Sequence, residues 1–517
     1  MVEMTESISR NAETKKLDEA FIRLQQRFHD KYEEIFSDDL AEKTVVIIPS
    51  LTLDRKILKS VKGVVHYEER MLCMLLLLRM PRTKLIYVTS IPIDSTIIDY
   101  YLHLLPGITG YHAGQRLRML SCYDSSDKSP TEKILERPRL IRRIREDIRN
   151  TDLAHIATFN VTDYEKKLAL ALDIPVFGCN PDLWYLGSKS GCRELFKQLG
   201  IRLPAGYENL RTDADIAGSL AKLKSEKPQM KKAVVKLNDG FSGDGNSIYY
   251  YQDSGNADFS AGSILRNLRD NLKVVAADVN YDQYIEKFSG MGGIVEEFVP
   301  GAVIESPSVQ CRVNPHGEPD VLSTHDQMLG GESGQVYLGA TFPANKEYAV
   351  EIGAIGKKVA DELKKLGVLG RFAIDFISVK QPDGSWHHYA IEINLRKGGT
   401  THPFIMLQFL TNGTYNWKDG VYTMPNGQVR CYFTSDNVMN EKYRGLTPHD
   451  LIDIAMYNKI LYDGAKQAGV MFHMIGALSE FGKLGLLCIG ETVQEARSYY
   501  DKTIEVLDRE CRVASSG

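Results

Sequence analysis

The 517-residue chain is 43% hydrophobic and 25% charged, too long for one compact core, so about three or four folding units with a cleft between them are expected. A formal net charge of −4 argues against a nucleic-acid binder, because non-specific affinity for polyanions needs many Lys and Arg to neutralise phosphates. The eight cysteines are scattered without a C-x-x-C pair, which argues against a zinc module or disulfide framework and reads as reduced thiols of a cytoplasmic protein.

The opening MVEMTESISRNAETKK lacks the basic-then-apolar order of a secretory signal. The most apolar run, Met71 to Met80, is about half the length a bilayer span requires, so no membrane partner is expected. Residues 1–40 carry Leu17, Phe21, Leu24 and Phe28 at helical spacing, an amphipathic helix for packing or for contact within a homo-oligomer. From 41 to 185 short β-rich runs (TVVIIPS, KLIYVTS, Arg116 to Tyr123, Leu153 to Asn160) alternate with helical stretches, the pattern of a parallel α/β sheet. The spacing predicts one helix over Thr131 to Arg149. Its arginines (Arg137, Arg139, Arg142, Arg143, Arg145, Arg149) interleave with Leu140, Ile141, Ile144 and Ile148, which reads as a solvated helix face.

Residues 186–300 begin with KSGCRELFKQLGIRLPAG, a helix closed by Gly200 and followed by a strand entered through Pro204. Lys236 ends the strand AVVKL, and Gly240, Ser242, Gly243 and Gly245 follow in a turn of small residues. Glycine lets backbone amides approach phosphate oxygens, and lysine adds a compact positive charge. No G-x-x-x-x-G-K-[ST] or G-x-G-x-x-G run occurs, which argues against a P-loop NTPase or the usual dinucleotide site. The strand GGIVEEFVPG suits an adenine slot in which backbone groups read the base edge and apolar side chains cover its faces.

Residues 301–445 carry the acids. Asp375 lies in FAIDFI, and Glu392 and Asn394 lie in AIEINLR, within runs otherwise apolar where an unpaired charge is costly. Two residues apart on a strand, Glu392 and Asn394 leave by one face, and a neighbouring strand brings Asp375 to meet them. Two carboxylates and an amide are hard oxygen ligands of the kind magnesium takes beside a nucleotide triphosphate. His325, Asp326 and Gln327 in STHDQMLGG read either as substrate-binding or proton-accepting groups or as a structural turn. Residues 446–517 read as a helix, two strands and a final helix capped by Thr492.

Taken in order, Lys189, Lys236 with its glycine loop, VEEFVPG, Asp375 and E-x-N, the sequence resembles the ATP-grasp superfamily of carboxylate-amine ligases over residues 180–420. IIPSLTLD, SPSVQCRV, STHDQMLGG, GQVYLGATFPA and EINLRKGGTTHP look like the pheganomycin-type peptide ligases. The resemblance implies an α/β ATP-grasp fold, with a parallel α/β domain before it and a small α/β unit after it. It implies ATP and magnesium as cofactors and a carboxylate and an amine, such as amino acids or peptides, as substrates. Lys189, Lys236 and the glycine loop would contact phosphates. Glu296, Glu297, Phe298 and Val299 would line the adenine slot, Glu305 would reach the ribose, and Asp375, Glu392 and Asn394 would hold magnesium. Arg396 projects from the face of Asn394 if the strand continues, and the resemblance places an arginine there against the acyl phosphate. The D-alanine ligases place theirs two residues before the metal aspartate, where this chain has Ala373; Arg371 lies nearby and Lys397 adjoins Arg396, both candidate substrate contacts. The implied reaction is ATP-dependent joining of acid and amine through an acyl phosphate, with residues 190–300 as a lid. A small-molecule kinase and a non-catalytic nucleotide-binding scaffold are the alternatives.

Overall fold

A computed structural model describes residues 2–36, 38–52, 63–240, 245–251, 258–276, 279–330 and 336–514. Four strands, β1 (Thr44–Ile48), β2 (Lys84–Thr89), β3 (Leu117–Ser121) and β4 (Ala154–Thr158), form a parallel sheet in the order β3-β2-β1-β4. Every residue of β1 is buried, so its apolar run shows no alternation; helices cover both faces, as parallel sheets require. One face packs Val46 and Ile48 against Phe21 and Leu24 of the long helix Val2–Asp30, which answers its amphipathic pattern with packing inside the chain. The other packs Val45 and Ile47 against the helical segment Val64–Arg79.

The single helix expected over 131–149 is two, Pro130–Leu135 and Pro138–Asp147. Pro138 supplies no backbone N–H and drives Arg137 out of the helical region (φ −125°, ψ 78°), which starts a second helix there. Leu140 and Ile144 point inward and Arg139, Arg142, Arg143 and Arg145 are exposed, a solvated face as expected.

A second, antiparallel sheet holds β5 (Gly206–Leu210), β6 (Lys232–Leu237), β7 (Asn246–Tyr250), β8 (Leu272–Val274) and β9 (Gly293–Glu297), in the order β5-β9-β6-β7-β8. Helices Asp213–Glu226 and Tyr281–Met291 close its core around Leu220, Val235, Tyr284 and Phe288.

The third sheet has nine strands. Its members are β10 (Ile304–Glu305), β11 (Pro307–Val313), β12 (Pro319–Gly330), β13 (Val336–Phe342), β14 (Gly370–Lys380) and β15 (Trp386–Asn394); a small hairpin, β16 (Thr414–Asn416) and β17 (Val421–Thr423), stands apart from it; then come β18 (Cys431–Met439), β19 (Gly469–His473) and β20 (Lys483–Gly490). The order is β14-β11-β12-β13-β18-β20-β19, with β15 on the outer edge of β14 and β10 beside its far end. The two C-terminal strands thus continue the sheet that carries the acids, covered by the helix Val493–Ala514, whose Glu495 N–H is capped by Thr492 Oγ1 at 3.1 Å. Along β14, Phe372, Ile374 and Phe376 face a buried core, so Arg371, Ala373 and Asp375 share the opposite face.

Candidate functional site

Asp375 stands opposite Glu392 on β15 and opposite Ser308 on β11, and Asn394 stands opposite Ala373. The register therefore gathers the three residues expected to meet. Asn394 Nδ2 donates to Asp375 Oδ2 at 2.9 Å and to Glu392 Oε1 at 3.0 Å, and Gln327 Nε2 donates to Asp375 Oδ1 at 2.8 Å. Lys189 Nζ pairs with Glu392 Oε2. The lysine opens the helix Lys189–Gln198, and its own N–H donates to the Asn238 carbonyl at 3.0 Å, tying this end of the helix to β6. Burial pushes the Asp375 carboxyl up, against hydrogen bonds from Ser308 and Gln327 and the charges of Lys189 and Arg396. Burial, with the charge of Lys236, pushes Lys189 down to about 8.

β15 ends at Asn394, so Arg396 lies in the bend beyond it rather than on a continuing strand. Burial lowers its pKa, and the charges of Asp375 and Asp239 oppose that, which puts the guanidinium in the field of the carboxylate cluster. Lys397 donates its backbone N–H to Phe159 O at 3.1 Å and its Nζ to Thr158 O at the end of β4. Arg371 shares the face of Asp375 further back along β14.

Lys236 Nζ lies 2.5 Å from Glu296 Oε1, and Arg193 Nη1 donates to Glu296 Oε2 at 3.0 Å. Glu297 Oε1 accepts the Ala205 N–H at 2.8 Å, and its other oxygen pairs with Lys227. Glu296 is thus engaged in a buried ion pair and Glu297 in one whose lysine is exposed, and their backbones belong to the ladder with β5 and β6. Phe298 and Val299 lie past the ladder, with Lys232 Nζ 3.4 Å from the centre of the Phe298 ring and Val299 buried. Gly240 and Gly245 abut at the base of the glycine turn, where a Cβ on Gly240 would stand 3.2 Å from Gly245 Cα. Ser242 and Gly243 lie outside the described residues.

The run His325-Asp326-Gln327 is strand rather than turn, so alternation turns Asp326 away from the face that His325 and Gln327 share. Gln327 joins Asp375, whereas His325 is fully buried between Phe342 and Tyr432, its Nε2 hydrogen-bonded with the Tyr432 hydroxyl at 2.6 Å. Burial pushes its pKa down to about 3, so this is a neutral core histidine and the expectation of a substrate contact there is corrected. Asp326 accepts from the Tyr348 hydroxyl at 2.7 Å and the Asn345 N–H at 2.8 Å, away from Asp375. Burial raises it to about 6, helped by the charge of Glu305. Glu305 on β10 thus stands with Asp326.

Sequence reasoning passed over Ser308, Arg193 and a buried group around Asp436. Arg70 Nη2 lies 2.8 Å from Asp436 Oδ2, and His473 Nε2 and His402 Nε2 lie 3.0 and 3.3 Å from Oδ1. Burial pushes the Asp436 carboxyl up, but Arg70 and the two histidines together hold it well below the usual range. An acid inside the apolar strand CYFTSDNVM was the available signal, the same one that marks Asp375.

The sequence matches the family described as IQCH-like, ATP-grasp over residues 183–252 and 267–418, the span that builds the sheet of β5 to β9, six strands of the nine-stranded sheet and the carboxylate cluster. Over that span the chain carries an ATP-grasp domain. A second match, to the PGM1 C-terminal domain, covers residues 450–503.

Among curated relatives, the chain is 26% identical over 466 residues to the L-propargylglycine--L-glutamate ligase of Streptantibioticus cattleyicolor, covering 88% of the chain and 92% of the relative. It is 21% identical over 548 residues to IQ motif-containing protein H of Danio rerio, covering 96% of the chain but only 52% of that protein, about half its length. Solved structures share the fold: biotin carboxylase from Campylobacter jejuni in a β,γ-ATP complex (TM-score 0.55, 12% identity, 90% of this chain and 91% of that one). The biotin carboxylase domain of Hydrogenobacter thermophilus 2-oxoglutarate carboxylase, with MgADP, ADP and bicarbonate, gives a TM-score of 0.52 at 13% identity over 90% of this chain and 89% of that one. Among the described residues no helix is long and apolar enough to cross a membrane.

Proposed function

We propose that this ATP-grasp protein is an ATP- and magnesium-dependent ligase that activates a carboxylate as an acyl phosphate and joins it to the amine of an amino acid or peptide. The observation that carries the reading is the meeting of Asp375, Glu392 and Asn394 on one sheet face, with Lys189 on Glu392. The donor set fits magnesium: two carboxylates and an amide oxygen are hard ligands, and in the ligand-free chain an amide NH2 and an ammonium already lie against the carboxylates. The ligase named for L-propargylglycine and L-glutamate, which the chain covers almost end to end, supports an amide-forming reaction between amino acids.

In this reading Lys189 and Lys236 release Glu392 and Glu296 and turn to phosphate oxygens. Magnesium, when bound by Asp375, Glu392 and Asn394, neutralises the charge of the transferring phosphates. A carboxylate oxygen of the substrate bonds to the γ-phosphorus as the bond to the β-phosphate oxygen breaks and ADP leaves. Arg396 offers a planar donor fork to the acyl phosphate and to the oxyanion that forms on amine attack. The new C–N bond then expels phosphate, and the ammonium proton is lost to solvent. Such transfer needs positioning and charge neutralisation, without a covalent nucleophile. Phe298 and Val299 line the adenine slot, Gly240 and Gly245 meet beside the phosphates, and Glu296 holds Lys236 ready rather than touching the base. The test is incubation with MgATP and pools of amino acids and short peptides, following phosphate release and product masses. Phosphate released only when acid and amine are both present, with a product lighter than their sum by one water, supports ligation. A stable phosphorylated product overturns it in favour of a kinase, and turnover unchanged in Glu392→Ala or Lys236→Ala overturns the site.

A further inference from the structure

We propose that Arg371 and Lys397 form an anion-binding subsite, so that the acid substrate carries a second negative group, a carboxylate or phosphate, besides the carboxylate that is activated. This rests on the ligase reading above. Arg371 makes no hydrogen bond and no ion pair with a described residue, and its Nη1 is buried without an acceptor. The residue opposite it on β11 is another cation, Arg312, which turns toward Asp320 at 3.6 Å. Among the described residues Lys397 Nζ donates to the Thr158 carbonyl alone. Cys73, whose thiol burial pushes up to about 12, acts on both; Arg371 also feels Asp320, which Arg312 already engages, and Lys397 feels Arg371. Burial pushes Arg371 down to about 9 and Lys397 down to about 8, although each residue keeps part of its surface open to solvent. Two partly desolvated cations that repel one another, with Asp320 taken up by Arg312, are costly, and an anion that meets both relieves that cost.

The position suits a substrate that spans two sites. Arg371 and Asp375 share one face of β14 about 13 Å apart at their Cα atoms, a gap that a short dianionic chain bridges once the arginine side chain reaches in. Between them, opposite Ala373, stands Gln310, whose Nε2 donates to Thr400 O at 2.8 Å while its buried Oε1 has no partner. That oxygen offers an acceptor to the ammonium of an amino acid. Lys397 also ties the subsite to the C-terminal end of β4, and the crevice beyond such strand ends, where the order of a parallel sheet reverses, is where open α/β sheets receive ligands.

The test uses the full chain with MgATP and hydroxylamine as a generic amine, reading hydroxamate and ADP with L-glutamate, glutarate and phosphoserine against the chain-matched monoacids norvaline and pentanoate. The dianions are expected to react and the monoacids to lag by about 10–100-fold in kcat/KM, the weight of charged hydrogen bonds. Glutamate against phosphoserine distinguishes carboxylate from phosphate as the second group. Arg371→Gln is expected to raise KM for the dianion by a similar factor with kcat nearly unchanged, Arg371→Lys to recover part of it, and ligand-free Arg371→Gln to melt no lower than wild type, as a merely structural arginine would not allow. Equal use of monoacids, or an unchanged KM in Arg371→Gln, overturns the subsite and leaves the ligase reading standing. If no acid yields hydroxamate, the melting shift decides. Glutarate raising the melting temperature of wild type but not of Arg371→Gln keeps the subsite and removes the ligase reading, whereas no shift or equal shifts overturn the subsite.

Discussion

Replacing Arg193 by Met is expected to damage both stability and ATP binding, although in the proposed reading this arginine touches neither nucleotide nor metal. Glu296 is 2% exposed and neutralised by two cations, Arg193 at 3.0 Å and Lys236 at 2.5 Å. Removing one partner of a buried pair costs about 3–5 kcal/mol, and because Lys236 stays, the low end, about 3 kcal/mol, is the expected loss. That loss is a large fraction of a domain's marginal stability of about 5–15 kcal/mol. The remaining Glu296 charge then holds Lys236 harder, so the lysine leaves for phosphate less readily. The double variant Arg193→Met/Glu296→Gln removes the stranded charge and frees Lys236, and it is expected to recover most of the stability and the affinity for ATP. Thermal melting of the four proteins of the cycle, with ATP titrations by calorimetry, measures both. Additive losses in the double variant would falsify the reasoning, because they would mean that Glu296 and Arg193 act independently.

Asp375→Asn and Glu392→Gln are expected to lower acid-dependent ADP formation by about 100–1000-fold, the scale of losing one well-placed electrostatic contact, as read by a coupled ADP assay. Chelation with EDTA is expected to stop the same assay and added magnesium to restore it. Asp326, raised to about 6 by burial, binds its proton more tightly folded than unfolded. Stability should therefore fall as pH rises from the ordinary aspartate range through about 6, by about 1–3 kcal/mol, and Asp326→Asn should flatten that slope in melting curves. His325→Asn is expected to lower the melting temperature through loss of a fully buried ring, with KM for substrates of the surviving folded protein unchanged.

Local pattern carried much of this into view. Asp375, Glu392 and Asn394 stand out because period-2 alternation and apolar neighbours place them on one face before any partner is known. The buried cation pairs do not announce themselves that way: Lys236 and Glu296 belong to separate strands, and nothing local says that the glutamate would take a lysine and an arginine instead of facing a base. His325, Asp326 and Gln327 looked like one polar group, yet alternation sends neighbours to opposite faces, and only the packing of Phe342 and Tyr432 seals His325. Arg396 depended on whether the strand ran on, and it stops at Asn394. Pro138 within the basic stretch was a legible break in the helix that spacing alone bridged.

The way the last strands complete the sheet bears on how the chain is made. The Phe472 N–H of β19 donates to the Tyr100 hydroxyl at 3.0 Å, the Gly476 N–H donates to Glu69 Oε2 at 3.0 Å, and Lys483 Nζ donates to the Tyr67 hydroxyl at 3.0 Å. The stretch from Tyr100 to Phe472 takes a ribosome about 20–70 s at ordinary elongation rates. For that interval the early α/β segment waits with part of its apolar surface uncovered, whereas the sheet of β5 to β9 finds all its partners within its own stretch of chain. Nascent chains stalled before β19 should therefore engage chaperones and be cut by protease around residues 64–105, and those stalled after β20 should resist.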